Sequence, residues 1–180
     1  MQDQPLETLK YPIGRFDYDR DVPFAEVSRH METIVELPGK LAELVHGLSD
    51  SQLDTPYRPD GWTARQVVHH LADSHGNALS RYKLALTEDN PTIRPYHEEL
   101  WAELADGKTA PVTVSLQLLA ALHQRWAVLL DSMREADFGR TYFHPQSQRT
   151  FALRQVTALY AWHGNHHFAH IQSLSDRSGW

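Results

Sequence analysis

The sequence predicts an all-α protein, a four-helix bundle with a long connection between its second and third helices, and three observations carry that prediction. Apolar residues recur at steps of three and four over four long segments, the spacing of a helix with one buried face. No alternating apolar and polar pattern builds a competing strand system, and no internal repeat or low-complexity tract interrupts the chain. At 180 residues, 41% of them hydrophobic and 22% charged, the chain can bury a real core and is expected to form one domain spanning 1–180.

The elements follow in order. Residues through YPIGRFDYDRDVP carry Pro, Gly and Asp without a helical apolar period, so they read as an arm on the surface where little function is expected. From about Phe24, the apolar positions Val27, Met31, Ile34, Val35, Leu41, Leu44, Val45 and Leu48 mark the first long helix. Pro38 lies within it and lacks an amide proton, which predicts a kink or short break near Leu37. Thr63 and Gln66 then form a capping-box pattern that opens the second helix. Its inward stripe is Val67, His70, Leu71, Ser74, Ala78, Tyr82 and Ala85, with His69 about a hundred degrees round and His75 further still. The connection from Thr87 to Val114 holds Pro91, Pro95 and Pro111 and a short helix around His97 to Leu104; a connection this long crosses a bundle or covers a site. The third helix runs from about Ser115 to about Ala136, with Leu118, Leu119, Leu122, Trp126, Leu129, Leu130 and Met133 inward. A turn or small hairpin at TYFHPQSQRTF leads into the fourth, whose stripe is Leu153, Val156, Tyr160, His163, His167, His170, Ile171 and Leu174.

Composition excludes several function classes. The formal charge of −6 and the lack of a basic run argue against a nucleic-acid partner. No apolar run of about 18 residues is present to span a bilayer, and MQDQPLETLK lacks a signal-peptide core, so the expected address is cytoplasmic with no membrane partner. With no cysteine, the chain offers no disulfide, thiolate ligand or cysteine nucleophile, and sulfur chemistry would need an outside thiol.

What stands out is 12 histidines, four of them in HGNHHFAH between 163 and 170. Residues four apart stand one turn above each other on a helix, so His163 and His167 can present two imidazole nitrogens to one ion. His70 enters from the inward face of another helix, and bundles build metal sites from facing helices. Three neutral nitrogens leave a coordination position open, as in catalytic rather than structural zinc, and both zinc and nickel suit them. The competing reading is that these are core histidines bonded to neighbours; two unpaired imidazoles at successive inward positions would then cost on the order of 1–3 kcal/mol each. His166 and His170 form a rival pair at the same spacing. His166 falls off the apolar stripe and is expected to face solvent or a neighbouring subunit, and His170 is a candidate partner of the ligands.

The blocks GWTARQVVHHLADSH, RYKLALTEDNPTIRPY and YAWHGNHHFAHI closely resemble the YfiT family of the wider DinB-like superfamily, over nearly the whole chain from YPIG to Gly179 and Trp180. The resemblance implies a four-helix bundle, often a homodimer, with one divalent metal ion per subunit bound by three histidines. The second histidine of the HHL motif matches His70, and the HxxxH pair matches His163 and His167. It also implies an enzyme: the family is described as metal-dependent hydrolases, and related DinB-like proteins transfer low-molecular-weight thiols such as bacillithiol or mycothiol.

A divalent ion can lower the pKa of a water or hold a thiol as thiolate. Water attack usually enlists a general base, yet Gly164, Asn165 and His166 supply no carboxylate inside the HxxxH pair. Thiol transfer to an electrophilic small molecule is therefore the leading expectation, with hydrolysis of an amide or ester second and a non-enzymatic metal or ligand binder third. Asp73, Glu98, Glu99 and Glu103 are candidate bases or simple surface charges. Ser74 and Asn77 are candidate substrate contacts or, more simply, capping or core hydrogen-bonding groups, and Tyr82, Trp126, Tyr160 and Trp162 are core aromatics or pocket lining.

Overall fold

The computed structural model describes residues 5–180. Its helices are α1 (Leu6–Lys10), α2 (Val27–Val45), α3 (Asp50–Leu53), α4 (Ala64–Thr87), α5 (Glu98–Trp101), α6 (Ala105–Thr109), α7 (Val112–Ser132), α8 (Glu135–Phe138) and α9 (Leu153–Ser178). Strands β1 (Thr141–His144) and β2 (Arg149–Ala152) form one antiparallel hairpin, Thr141 opposite Ala152. The four long helices form the bundle, with α2 and α4 on one diagonal and α7 and α9 packed between them.

Local chemistry accounts for the boundaries. Thr63 accepts from the Gln66 amide and the Gln66 side chain accepts from the Thr63 amide, the reciprocal cap expected at the start of α4. α7 begins at Val112, three residues earlier than its apolar period suggests, because Pro111 at the N-cap surrenders an amide that would be orphaned there anyway. It ends at Ser132, and Glu135–Phe138 form the separate α8. Pro38 does not break α2, which runs unbroken from Val27 to Val45.

The inward stripe of α4 is buried throughout, and so are His69, His75 and Leu79, because α4 packs against both α7 and α9 and has more than one inner face. Two predicted inward residues lie outside: Leu118 and Val35 are 55% and 49% exposed. Two apolar clusters fill the bundle, one around Ile34, Tyr82, Trp126 and Tyr160, the other around Leu41, Leu71, Leu119 and Ile171. Between them α4, α7 and α9 contribute a layer of histidines: His70, His75, His123, His163 and His167.

Candidate metal centre

His70 from α4 and His163 and His167 from α9 each offer a ring nitrogen within 4.8 Å of the other two. The Nε2 atoms of His70 and His163 face each other at 3.2 Å. Two nitrogens bound to one tetrahedral zinc at about 2.0–2.1 Å stand about 3.3 Å apart, so this pair already has the separation an ion requires. Close packing of α2 on α9 fixes the turn between the two α9 histidines. A Cβ at Gly164 would lie 2.6 Å from Leu37 Cδ2, so only glycine lets the helices meet here without displacing Leu37.

Burial holds the His70 imidazole down to about 4. Burial also keeps His163 and His167 well below the usual histidine range, and the adjacent imidazoles add to the effect in both. All three are therefore neutral near pH 7, with lone pairs available to a cation. The only histidine–carboxylate pairs within 4.0 Å among the described residues are His30–Glu26 and His97–Glu99, so no carboxylate sits beside the three.

The site opens into a cavity of about 1070 Å³. Trp62 lines it beside the triad, 4.7 Å from the His70 ring and 6.2 Å from His167 between centroids. Ser74, Arg81 and Tyr160 continue the wall beyond the triad, and the hairpin adds His144 and Arg149. The long connection contributes Tyr96, Glu98 and Glu99, anchored by a bridge between Thr92 and Phe143. Asp73 and Glu103 do not line the cavity, and Glu103 instead pairs with Lys108 at 2.9 Å. Asn77 bonds back to the Asp73 carbonyl, and Tyr82 and Trp126 are core.

Two expectations are corrected. The arm is part of the cavity wall: Lys10, Tyr11 and Tyr18 line it, Phe16 packs on Trp162, and the Lys10 carbonyl accepts from His170 Nε2 at 3.1 Å. Helical periodicity could not find this, since the arm has none. His166 is 8% exposed, stacked on Trp162 at 4.5 Å and beside Tyr11 at 6.0 Å, because the arm covers the flank of α9 that a lone helix would expose. His170 stacks on Tyr57 at 3.9 Å and makes no hydrogen bond to the three. His69 points elsewhere, to Ser115 Oγ at 2.7 Å and the Ala110 carbonyl at 3.1 Å. Helical periodicity sets His75 off the inward stripe and gives His123 no role, yet both are buried beside the three. His75 Nε2 lies 3.3 Å from His163 Nδ1, and His75 Nδ1 lies 2.8 Å from His123 Nε2.

Three converging histidines in a helical bundle, with no cysteine in the chain, make a group that could hold a metal ion, and the sequence matches the DinB superfamily over residues 33–171. The chain belongs to this superfamily and, within it, to the YfiT family. It is 51% identical over 175 residues to a "putative metal-dependent hydrolase" of Bacillus mycoides, covering 97% of this chain and all of that one. It is 48% identical over 172 residues to the "putative metal-dependent hydrolase YfiT" of Bacillus subtilis, covering 96% and 97% of the two chains. A solved structure of YfiT, described as "a probable metal-dependent hydrolase with an unusual four-helix bundle topology", superposes with a TM-score of 0.93 at 47% identity, over 96% of this chain and 99% of that one. The fold expectation is borne out. No helix among the described residues is long and apolar enough to cross a membrane.

Proposed function

We propose that the protein is an enzyme in which His70, His163 and His167 hold one divalent ion, most simply zinc, and which joins a low-molecular-weight thiol to an electrophilic small molecule. The observation that carries this reading is a neutral nitrogen triad that opens into a large cavity with no carboxylate beside it. When bound, the ion supplies Lewis acidity that favours deprotonation of a thiol or a water. A thiolate is already a strong nucleophile and needs no general base, whereas water attack normally does. In the transfer, the S–H proton is released, a bond forms from sulfur to the electrophilic carbon, and the leaving group departs with its electron pair. A volume of about 1070 Å³ has room for two small molecules, since single-ligand pockets span about 300–1,000 Å³.

The chain's own residues orient and enclose. Trp62 shields the triad from one side. Arg81 is half-buried in the wall on the helix face of His70 and Ser74; it has no carboxylate within 4 Å among the described residues and donates only to the Tyr160 hydroxyl, at 3.4 Å. Its guanidinium is the group that would take a carboxylate or phosphate of a substrate. A hydrolase reading has its own support: the relatives' names, and Glu98 and Glu99 at the cavity wall as candidate bases.

The test is conjugation of a simple electrophile by metal-quantified protein across a panel of cellular thiols, against a metal-stripped control. Turnover that requires both metal and one preferred thiol is the expected result. Metal-dependent cleavage of esters or amides without any thiol would replace this reading with hydrolysis.

A further inference from the structure

Pro38 sits inside α2 and has no amide hydrogen, so the Ile34 carbonyl four residues back loses its helical donor. His123 of α7 takes that place, with Nδ1 at 2.7 Å from the Ile34 oxygen. A carbonyl can only accept, so His123 Nδ1 carries the hydrogen, and in a neutral ring Nε2 must then be an acceptor. The atom facing it is His75 Nδ1, at 2.8 Å, which therefore donates. That leaves His75 Nε2 bare, and it faces His163 Nδ1 at 3.3 Å, which donates in turn. The last atom of the series, His163 Nε2, keeps its lone pair, and it is the atom that faces His70 across 3.2 Å.

We propose that His75 and His123, anchored on the carbonyl that Pro38 frees, are positioning residues that fix the tautomer and ring orientation of His163 and hold its Nε2 bare for the metal. The inference rests on the metal reading of the triad. Every link runs one way, because reversing any ring would set two N–H groups or two lone pairs against each other. Both rings are buried, 0% and 3% exposed, and neither has a carboxylate within 4.0 Å among the described residues. Each ring is also held laterally by Trp126, which meets His75 edge-on at 5.8 Å and His123 at 5.7 Å. Such outer partners typically change metal affinity by about 10- to 100-fold when removed.

Two measurements on the full chain test this. Long-range proton–nitrogen correlation spectra of the metal-free protein with labelled histidine, at pH 7.5, should show His163, His75 and His123 all carrying hydrogen on Nδ1. Competition against a chromogenic chelator should show zinc held about 10- to 100-fold more weakly by His75→Phe, less severely so by His123→Phe, and unchanged by His69→Phe, which removes another buried histidine of α4 outside the series. A metal-free spectrum with hydrogen on His163 Nε2 overturns the proposal, as does a folded His75→Phe variant that binds zinc within twofold of the parent. If His75→Phe does not fold, the spectrum of the parent still decides. A parent with the expected tautomers that binds no zinc would leave the series standing and remove the metal reading instead.

Discussion

Lowering the pH should destabilise the metal-free protein steeply, and the histidine layer sets the size of the effect. His70 and His123 each titrate near 4 in the folded chain against 6.5 when free, because burial penalises their charged forms. Between these values the unfolded chain binds protons that the folded chain refuses, so stability rises with pH across the window and is lost as pH falls through it. At pH 5 each of the two contributes a loss of about 2 kcal/mol relative to pH 8, approaching about 3 kcal/mol below pH 4. Together they cost about 4 kcal/mol at pH 5, a large share of the 5–15 kcal/mol typical of a domain. His75, His163 and His167 shift the same way and steepen the dependence. Urea titrations of chelator-treated protein at pH 8, 7, 6 and 5 measure it, and a zinc-loaded sample should hold its midpoint to lower pH by mass action. Stability that stays flat or increases from pH 7 to pH 5 would refute the reasoning, since neutral buried imidazoles cannot produce it.

Further predictions concern packing, substrate and the flanking histidines. Gly164→Ala places a methyl 2.6 Å from buried Leu37, and overpacking should outweigh the gain in helix propensity, for a net loss of about 1 kcal/mol and a Tm lower by a few degrees in a thermal melt. An unchanged or higher Tm would mean that α2 and α9 are less tightly apposed than described. Arg81→Gln should raise KM about 10- to 100-fold for anionic electrophiles while leaving neutral analogues unaffected, the loss expected for one charge-assisted contact; equal effects on both series would remove Arg81 from substrate recognition. Deleting residues 1–18 should expose His166 and His170 and raise KM by opening the cavity wall. Steady-state kinetics unchanged by the truncation would show that the arm only covers α9.

Much of the fold and the centre of the site were legible because they depend on local rules. The period of α4 and α9 places His70, His163 and His167 on inward faces, and the structure brings them together. Thr63 and Gln66 announce the start of α4 by short-range hydrogen bonding alone. What was not legible depends on which surfaces meet. His75 is off the main stripe of α4 and is buried only because α7 packs on that flank, and His123 reads as one polar position in a leucine-rich helix. Their partnership spans sequence separations that no periodicity encodes. Pro38 shows the same limit: its missing amide is visible in the sequence, but its consequence is a carbonyl offered to another helix rather than a break. The arm has no helical period, so its place over His166 and His170 follows from tertiary contact alone.

The most direct test of the central claim is metal stoichiometry and zinc affinity for the parent chain and for His70→Ala, His163→Ala, His167→Ala and His69→Ala. The account predicts about one tightly held ion per chain in the parent and in His69→Ala, and its loss in each of the other three. Tight zinc retained by a folded His70→Ala, His163→Ala or His167→Ala variant, or lost in His69→Ala alone, would contradict it.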